Sequence, residues 1–145
     1  MDLKEEALLG PGVGRHWYYR AKAQALLRVV EPAGAAVLDV GAGSGFFARR
    51  LLEAGASEAT LVDPGYPADR NEIHAGKPLR FRRYASADGA TLILMMDVLE
   101  HVDDDIGLAR DYLASARPGT RLAVTVPAFQ WLWSGHDVFL EHKRR

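Results

Sequence analysis

The segment VLDVGAGSGFFARRLL, residues 37–52, carries the strongest structural signal in the chain. A continuous apolar run, typical of a strand covered on both faces, leads directly into three glycines and then into a helical pattern. Strand–glycine loop–helix units of this kind bring their backbone close to a bound nucleotide or cofactor. The segment therefore predicts a ligand site at the glycine loop.

Apolar runs and helical patterns alternate along the rest of the chain. This alternation indicates βαβ units, and hence an α/β, Rossmann-like fold with a mostly parallel sheet and helices on both faces. We place segment 79–84, LRFRRY, at a sheet edge because its basic residues alternate with apolar ones. The predicted strands are 35–40, 59–63, 79–84, 91–97 and 121–126, and the predicted helices are 15–30, 44–54 and 103–116.

An acidic run opens the predicted helix 103–116. Asp103 or Asp104 is the expected N-cap. Together with Asp105 these residues look like a metal cluster, but acidic side chains are expected at a helix N-terminus because they complement the helix dipole, so we predict no metal there. The inner face of the helix is predicted to carry Ile106, Ala109, Leu113 and Ala116.

Length and composition bound the architecture. At 145 residues the chain is expected to form one domain with a substantial core. We divide it into an N-terminal helical cap (1–34), a core (35–127) and a C-terminal tail (128–145). The sequence contains no cysteine, which excludes a disulfide framework, a thiolate nucleophile and a cysteine-based zinc site.

Charge and hydropathy argue against nucleic-acid and membrane partners. The 18 basic and 19 acidic residues leave a net charge of −1, which gives no bulk attraction for nucleic acid. No apolar run approaches the roughly 20 residues needed to cross a bilayer. The N-terminal MDLKEEALLGPG lacks the apolar core of a signal peptide. We therefore predict a cytoplasmic protein.

The spacing of the glycines disfavours a dinucleotide. The dinucleotide fingerprint is G-x-G-x-x-G, whereas Gly41, Gly43 and Gly45 are spaced G-x-G-x-G. Phe46 stands where the third fingerprint glycine belongs, and its ring is expected to hinder close helix–strand packing. A P-loop is excluded because no Gly-Lys-Ser/Thr follows.

Acidic residues near the ends of three predicted strands indicate a different ligand. Asp39 lies in the first strand, and Asp63 and Asp97 end the second and fourth. The C-terminal strand ends of a parallel sheet share one crevice, and carboxylates there repel a pyrophosphate but accept hydrogen bonds from ribose hydroxyls. S-adenosylmethionine fits, because it carries a ribose, an ammonium and a sulfonium but no phosphate.

Four motifs together resemble the class I S-adenosylmethionine-dependent methyltransferases. They are VLDVGAGSGFFARRLL, LVDPG, MMDVLEHV and PGTRLAVTVPAF, and the similarity covers about residues 15–143. The phrase DVLEHV is similar to the branch that includes many small-molecule methyltransferases, so the resemblance implies a small-molecule acceptor. The N-terminal HWYYRAKAQALL resembles the lead helix of that branch, which tends to fold over the cofactor.

The resemblance also implies roles for individual residues. Asp88 is a weak candidate for the acid that relatives place near the adenine amine. The other implied contacts are Asp39, Gly41, Ala42 and Gly43 with the methionine part of the cofactor, Asp63 with the ribose, Pro64 with the adenine, Asp97 with the amino-acid moiety, and Tyr19 or Arg20 with the cofactor carboxylate.

The sequence leaves two roles open for His101. It is a candidate general base for a hydroxyl acceptor, and it is equally suited to bond a backbone carbonyl and hold its loop. Some relatives with E-x-x-E-H at this position bind a divalent ion. Here the pattern is Asp97-x-x-Glu100-His101, whose groups are plausible ligands, but we expect no metal.

The C-terminal part leaves alternatives open. Relatives continue with a helix and two further strands, so we expect strand 121–126 to be an open edge and the chain to form a homo-oligomer through that strand or the tail. Trp131 and Trp133 either wall a substrate pocket or pack against a missing part. The alternatives to a methyltransferase are a cofactor-binding fragment completed by a partner chain and an NAD-dependent oxidoreductase.

Overall fold

A six-stranded sheet forms the centre of the computed structural model, which describes residues 10–145. Residues 1–9 of the predicted N-terminal cap lie outside the described residues. The sheet order is β3-β4-β2-β1-β5-β6, and only the β3–β4 pair is antiparallel. The strands are β1 (Ala36–Val40), β2 (Glu58–Val62), β3 (Arg70–His74), β4 (Lys77–Arg82), β5 (Leu92–Met96) and β6 (Arg121–Thr125).

Residues 10–145 contain four α-helices besides the mostly parallel sheet, which confirms the predicted α/β, Rossmann-like class. They are α1 (Trp17–Val29), α2 (Phe46–Glu53), α3 (Asp105–Ser115) and α4 (Gly135–Phe139). Short 3-10 segments precede α1 and connect the later elements, at Gly10–Arg15, Leu99–His101 and Gln130–Leu132. None of the helices within residues 10–145 has the length and apolar character that a membrane span requires.

Strands β1 and β5 form the buried middle of the sheet because, apart from Asp39 in β1, their residues are apolar on both faces. One face of β5 presents Leu92, Leu94 and Met96 to the core shared with α1 and α2. The opposite face presents Ile93 and Met95 to a second core beside α3. The continuous apolar runs of the sequence therefore correspond to strands covered on both sides.

Gly45 allows α2 to pack tightly after the glycine loop. It adopts a left-handed conformation with φ 76° as the N-cap of α2, and a Cβ atom there would lie 2.0 Å from Leu61 Cδ2. Phe46 turns toward α1, where its ring meets the Tyr19 ring edge-on at a centroid distance of 5.9 Å. Close packing therefore depends on Gly45, and Phe46 fills the space between α1 and α2.

The predicted edge position of segment 79–84 is wrong. The corresponding strand β4 lies inside the sheet between β2 and β3, and β3 occupies the edge. The sequence reading missed β3 because Ala75-Gly76 is not a strong hairpin signal. Both residues have positive φ, 51° and 73°, and form a two-residue turn between His74 and Lys77.

Helix α3 confirms one prediction and corrects another. Asp104 is the N-cap, and its Oδ1 accepts a hydrogen bond from the Gly107 amide at 2.8 Å. The predicted inner face is partly wrong, because Ile106 and Leu113 are 66% and 45% exposed. The helix is rotated relative to the predicted face and packs on the second core through Leu108, Ala109, Tyr112 and Ala116.

Candidate functional site

The glycine loop connects β1 to α2 at the C-terminal edge of the parallel strands. Gly41 and Gly43 have φ values of 64° and 53°, a conformation that residues with a Cβ rarely adopt. The amides of Gly41 and Ala42 both donate to the Val62 carbonyl, at 2.8 and 3.2 Å. These bonds attach the start of the loop to the end of β2.

Asp63 organises the same loop from the end of β2. Its Oδ2 accepts a hydrogen bond from the Gly43 amide at 3.1 Å, and its Oδ1 accepts one from the Gly65 amide at 2.8 Å. The Tyr66 hydroxyl donates to the Gly43 carbonyl at 2.6 Å. Asp63 is only 7% exposed, but each carboxylate oxygen retains capacity for a further hydrogen bond. Pro64 beside it is exposed.

Asp39 and Asp97 belong to the two central strands. Asp39 is buried in β1, paired in register with Leu61 of β2 and Leu94 of β5. Asp97 follows β5 and has φ 54°, which is uncommon for a residue other than glycine. Strain of this kind is concentrated at functional sites. Asp39 in β1, Asp63 directly after β2 and Asp97 directly after β5 thus belong to three neighbouring strands of the sheet.

Two neighbours hold Asp97 in its strained position. Its amide donates to the Thr125 carbonyl at 3.0 Å, and the Thr125 hydroxyl donates back to Asp97 Oδ1 at 3.1 Å. Lys22 of α1 forms an ion pair with Asp97 Oδ2. This contact joins the lead helix to the end of β5.

Lys22 of α1 contacts Asp97 at the end of β5, although the sequence analysis named Arg20 and not Lys22 as a candidate. Residues three and four apart share one helix face, so Lys22 lies on the side of Tyr19 and Leu26, which are buried. Arg20 is two residues away, about 200° around the helix, and its side chain is exposed. The structure does not bring Arg20 to the cavity, and its cofactor role stays a prediction.

A cavity of about 780 Å³ lies between α1, the ends of β5 and β6, and the C-terminal tail. Its size is within the range of small-molecule sites. Its lining combines aromatic, apolar and charged side chains. The lining includes Trp17, Tyr18, Lys22, Asp97, Glu100 and Pro127.

Glu100 and His101 lie at the cavity in the turn Leu99–His101. Glu100 is 1% exposed, and neither of its carboxylate oxygens has a hydrogen-bond partner among residues 10–145. Burial, the largest influence, and the nearby charge of Asp97 raise the pKa of Glu100 to about 7. His101 stacks edge-on with His142 of the tail, with ring centroids 4.7 Å apart. Its role as a general base stays a prediction.

The tail is organised around one buried carboxylate, Asp137. Arg145 Nη1 donates to both of its oxygens at 3.0 and 2.8 Å, and Ser134 donates through its amide and hydroxyl at 2.8 and 3.0 Å. His142 Nδ1 lies 3.0 Å from Asp137 Oδ1. Burial opposes ionisation, but the hydrogen bonds from Ser134, His142 and Arg145 hold the pKa of Asp137 well below its usual range.

The sequence signals for these additional residues were weak. Lys22 was recoverable from the face that it shares with Tyr19, because a cation on an otherwise buried stripe needs a partner. Asp137 stands three residues after Ser134, which is the spacing of a capping box. The approach of His142 to His101 depends on the path of the tail, which no local pattern records.

Comparisons with known proteins identify the family of this domain. A family described as "Methyltransferase domain" matches residues 15–143, and the chain belongs to this family. An uncharacterized methyltransferase of Mycobacterium sp. (strain KMS) is 34% identical over 121 residues, covering 77% of this chain and 46% of the relative. One from Mycobacterium tuberculosis (strain ATCC 25618 / H37Rv) is 28% identical over 123 residues, with the same coverage. The chain thus spans about half the length of these curated relatives.

Solved structures share the fold at lower identity. An S-adenosylmethionine-dependent methyltransferase from Mesorhizobium loti aligns with a TM-score of 0.56 and 22% identity, covering 74% of this chain and 52% of that one. A chain of the Haloferax volcanii complex that contains the Trm112 methyltransferase activator aligns with a TM-score of 0.68 and 19% identity, covering 99% and 67%. At these identities the likeness supports the fold alone.

Proposed function

We propose that this domain binds S-adenosylmethionine at the glycine loop and transfers its methyl group to a small-molecule acceptor. The observation that carries the proposal is the set of three carboxylates in or directly after neighbouring strands: Asp39 in β1, Asp63 after β2 and Asp97 after β5. These hydrogen-bond acceptors suit a ligand with hydroxyl groups and positive charge. It does not suit the pyrophosphate of a dinucleotide.

The residues present fit the proposed cofactor. Asp63 would accept hydrogen bonds from the ribose hydroxyls through its remaining lone pairs, with Pro64 beside the adenine. Asp39, Asp97 and the backbone of Gly41–Gly43 would hold the methionine part. Lys22, paired with Asp97, supplies the cation that a cofactor carboxylate requires.

When bound, the sulfonium of the cofactor supplies a methyl group already activated for transfer. The protein therefore has to align an acceptor and keep water away, and proximity alone contributes a large part of such rate enhancements. The cavity between α1 and the tail is the proposed acceptor site. His101, at the edge of this cavity, is the proposed base for an acceptor hydroxyl.

Calorimetry with S-adenosylhomocysteine and, separately, NADH tests the cofactor. We expect the 145-residue protein to bind S-adenosylhomocysteine and not NADH. Asp97→Asn should weaken that binding, whereas Asp111→Asn, an exposed acid on α3, should not. Binding of NADH alone would support the oxidoreductase alternative and overturn the proposal.

A methyl-transfer assay tests the enzymatic half of the proposal. Purified protein is incubated with radiolabelled S-adenosylmethionine and a panel of small hydroxylated and amine-containing acceptors, and label in the acceptor is counted. Transfer that Asp63→Ala abolishes supports the proposal. Binding without transfer to any acceptor would favour a cofactor-binding module that a partner chain completes.

A further inference from the structure

A cluster outside the glycine loop joins the turn Leu99–His101 to the tail. Glu100, His101 and His142 each offer one possible ligand atom, and these atoms lie within 4.8 Å of one another. Zinc–nitrogen and zinc–oxygen bonds of about 2.0–2.2 Å place neighbouring ligand atoms about 3–4 Å apart. Small side-chain rotations therefore suffice to bring the three atoms around one ion.

Glu100 is the independent sign of a ligand at this cluster. It is 1% exposed, and both of its oxygens are buried without a hydrogen-bond partner in the described part of the chain. A buried carboxylate in this state is unfavourable unless a counter-charge accompanies it. The side chain lines the cavity, so an ion that enters the cavity can reach it.

The tail orients His142 for coordination. Asp137, itself 1% exposed, has its Oδ1 3.0 Å from His142 Nδ1, and an ionised carboxylate at this distance accepts a hydrogen bond from a protonated Nδ1. This tautomer leaves the lone pair on Nε2. Carboxylates that hold the second nitrogen of a metal-binding histidine are a regular feature of metal sites. Arg145 already balances the charge of Asp137, so Asp137 acts here as a hydrogen-bond acceptor for His142 and not as a ligand.

We propose that Glu100, His101 and His142 bind a divalent first-row transition-metal cation, with Asp137 positioning His142. One carboxylate and two imidazoles suit Zn²⁺, Mn²⁺, Fe²⁺ or Co²⁺ better than Mg²⁺ or Ca²⁺, which prefer sets made of oxygen ligands. The site requires a residue of the tail, and it does not depend on methyl transfer. A His101 nitrogen that binds the cation cannot also accept a proton, so the metal-bound protein would not use His101 as the base.

Asp97 is not part of the proposed ligand set. Its carboxylate is engaged by Lys22 on one oxygen and by the Thr125 hydroxyl on the other. The proposed ligand set therefore differs from the Asp97-x-x-Glu100-His101 pattern, and the proposal replaces our expectation from the sequence that no metal binds there. The amide of Lys143 donates to the Glu100 carbonyl at 2.6 Å, which already holds the tail against this turn. A cation would add a second link between the tail and the turn.

Metal titration of the 145-residue protein tests the proposal. After treatment with a chelator and dialysis, the protein is titrated with Zn²⁺, Mn²⁺ and Co²⁺, and bound metal is measured by mass spectrometry after desalting. We expect about one ion per chain and a rise in Tm, because a ligand that binds only the folded state stabilises it. The Co²⁺ complex should show visible absorption from nitrogen and oxygen ligands.

Three variants separate a metal site from a merely structural cluster. Glu100→Gln keeps the shape of the side chain and should abolish stoichiometric binding while the circular dichroism stays native. Asp137→Asn keeps all three ligands and should weaken binding about 10–100-fold. His136→Ala, an exposed histidine of the same tail, should bind as wild type does. Absence of stoichiometric binding by wild type, or unchanged binding by Glu100→Gln, would overturn the proposal.

Discussion

The sheet has a glycine-loop half, which contains β2, β3 and β4 and packs against α2, and a tail half, which contains β5 and β6 and packs against α3. The two halves differ in how completely they bury their apolar residues. On the glycine-loop side, five of the eight residues of α2 are buried, whereas no residue of α3 is buried on the other side. The outer strand β3 carries charges paired with α2, including Arg49–Glu72 at 2.7 Å and Glu53–His74 at 2.9 Å. The outer strand β6 instead exposes apolar side chains such as Leu122 and Val124.

The two edge strands of the sheet, β3 and β6, therefore differ in how they are protected from pairing with another chain. Strand β3 follows the usual protection of an edge, in which charged side chains discourage pairing with another chain. Strand β6 has the composition of an internal strand but an edge position within residues 10–145. The glycine-loop half thus ends in a charged edge strand, while the tail half presents apolar side chains at its edge strand β6.

The largest effect is expected from Gly43→Val in the glycine loop. A side chain with φ 53° at a buried position strains the backbone and occupies the space next to the proposed cofactor. Binding of S-adenosylhomocysteine should fall below detection in calorimetry while the circular dichroism remains largely native. Gly12→Val, at a glycine with open space around it, is the control. Full binding by Gly43→Val would mean that the loop is only a turn.

Gly45→Ala tests how tightly the glycine-loop half is packed. The new Cβ would lie 2.0 Å from Leu61 Cδ2, and φ is 76°. Overpacking and strain together should lower the free energy of unfolding by about 2–4 kcal/mol. Urea denaturation measures this loss, and Gly119→Ala, which has a positive φ but open surroundings, isolates the backbone part. Equal losses in both variants would show that packing against Leu61 contributes nothing.

Asp63→Ala tests the hydrogen bonds that Asp63 accepts in the glycine-loop half. The substitution removes the acceptors of the Gly43 and Gly65 amides and of the proposed ribose hydroxyls. Charge-assisted bonds are worth about 1.5–3 kcal/mol, so affinity for S-adenosylhomocysteine should fall at least about tenfold. Asp63→Asn, which keeps one acceptor oxygen, should lose less. Unchanged affinity in Asp63→Ala would contradict the ribose assignment.

The smallest effect concerns self-association through the other half. We predict that the 145-residue protein forms a homo-oligomer through β6 or the tail, because the β6 edge is apolar and unprotected. Val124→Lys should weaken association about tenfold, as expected for one buried apolar contact replaced by a charge. Ile73→Lys, at 72% exposure on the β3 edge, is the matched control. Sedimentation across micromolar concentrations measures both. A stable wild-type monomer would show that the tail covers the edge by itself.

Local patterns predicted most of the fold. The apolar runs that became β1, β2, β5 and β6 were recognisable because a strand covered on both faces has a continuous apolar sequence. The β3–β4 hairpin was missed, since β3 is polar and its turn at Ala75-Gly76 has no strong signal. The rotation of α3 was missed as well, because its hydrophobic residues are too evenly spread to define one face.

The sequence by itself determined which strands carry the candidate site residues. A glycine loop follows β1, and acids lie in or after β1, β2 and β5, which a parallel sheet must bring to one edge. Only the tertiary structure decided which groups meet across that edge. Lys22 reaches Asp97, and His142 reaches His101, through contacts between segments far apart in the chain. Such contacts depend on helix rotation and on the path of the tail. Both are set by packing of the whole domain, which no local spacing encodes.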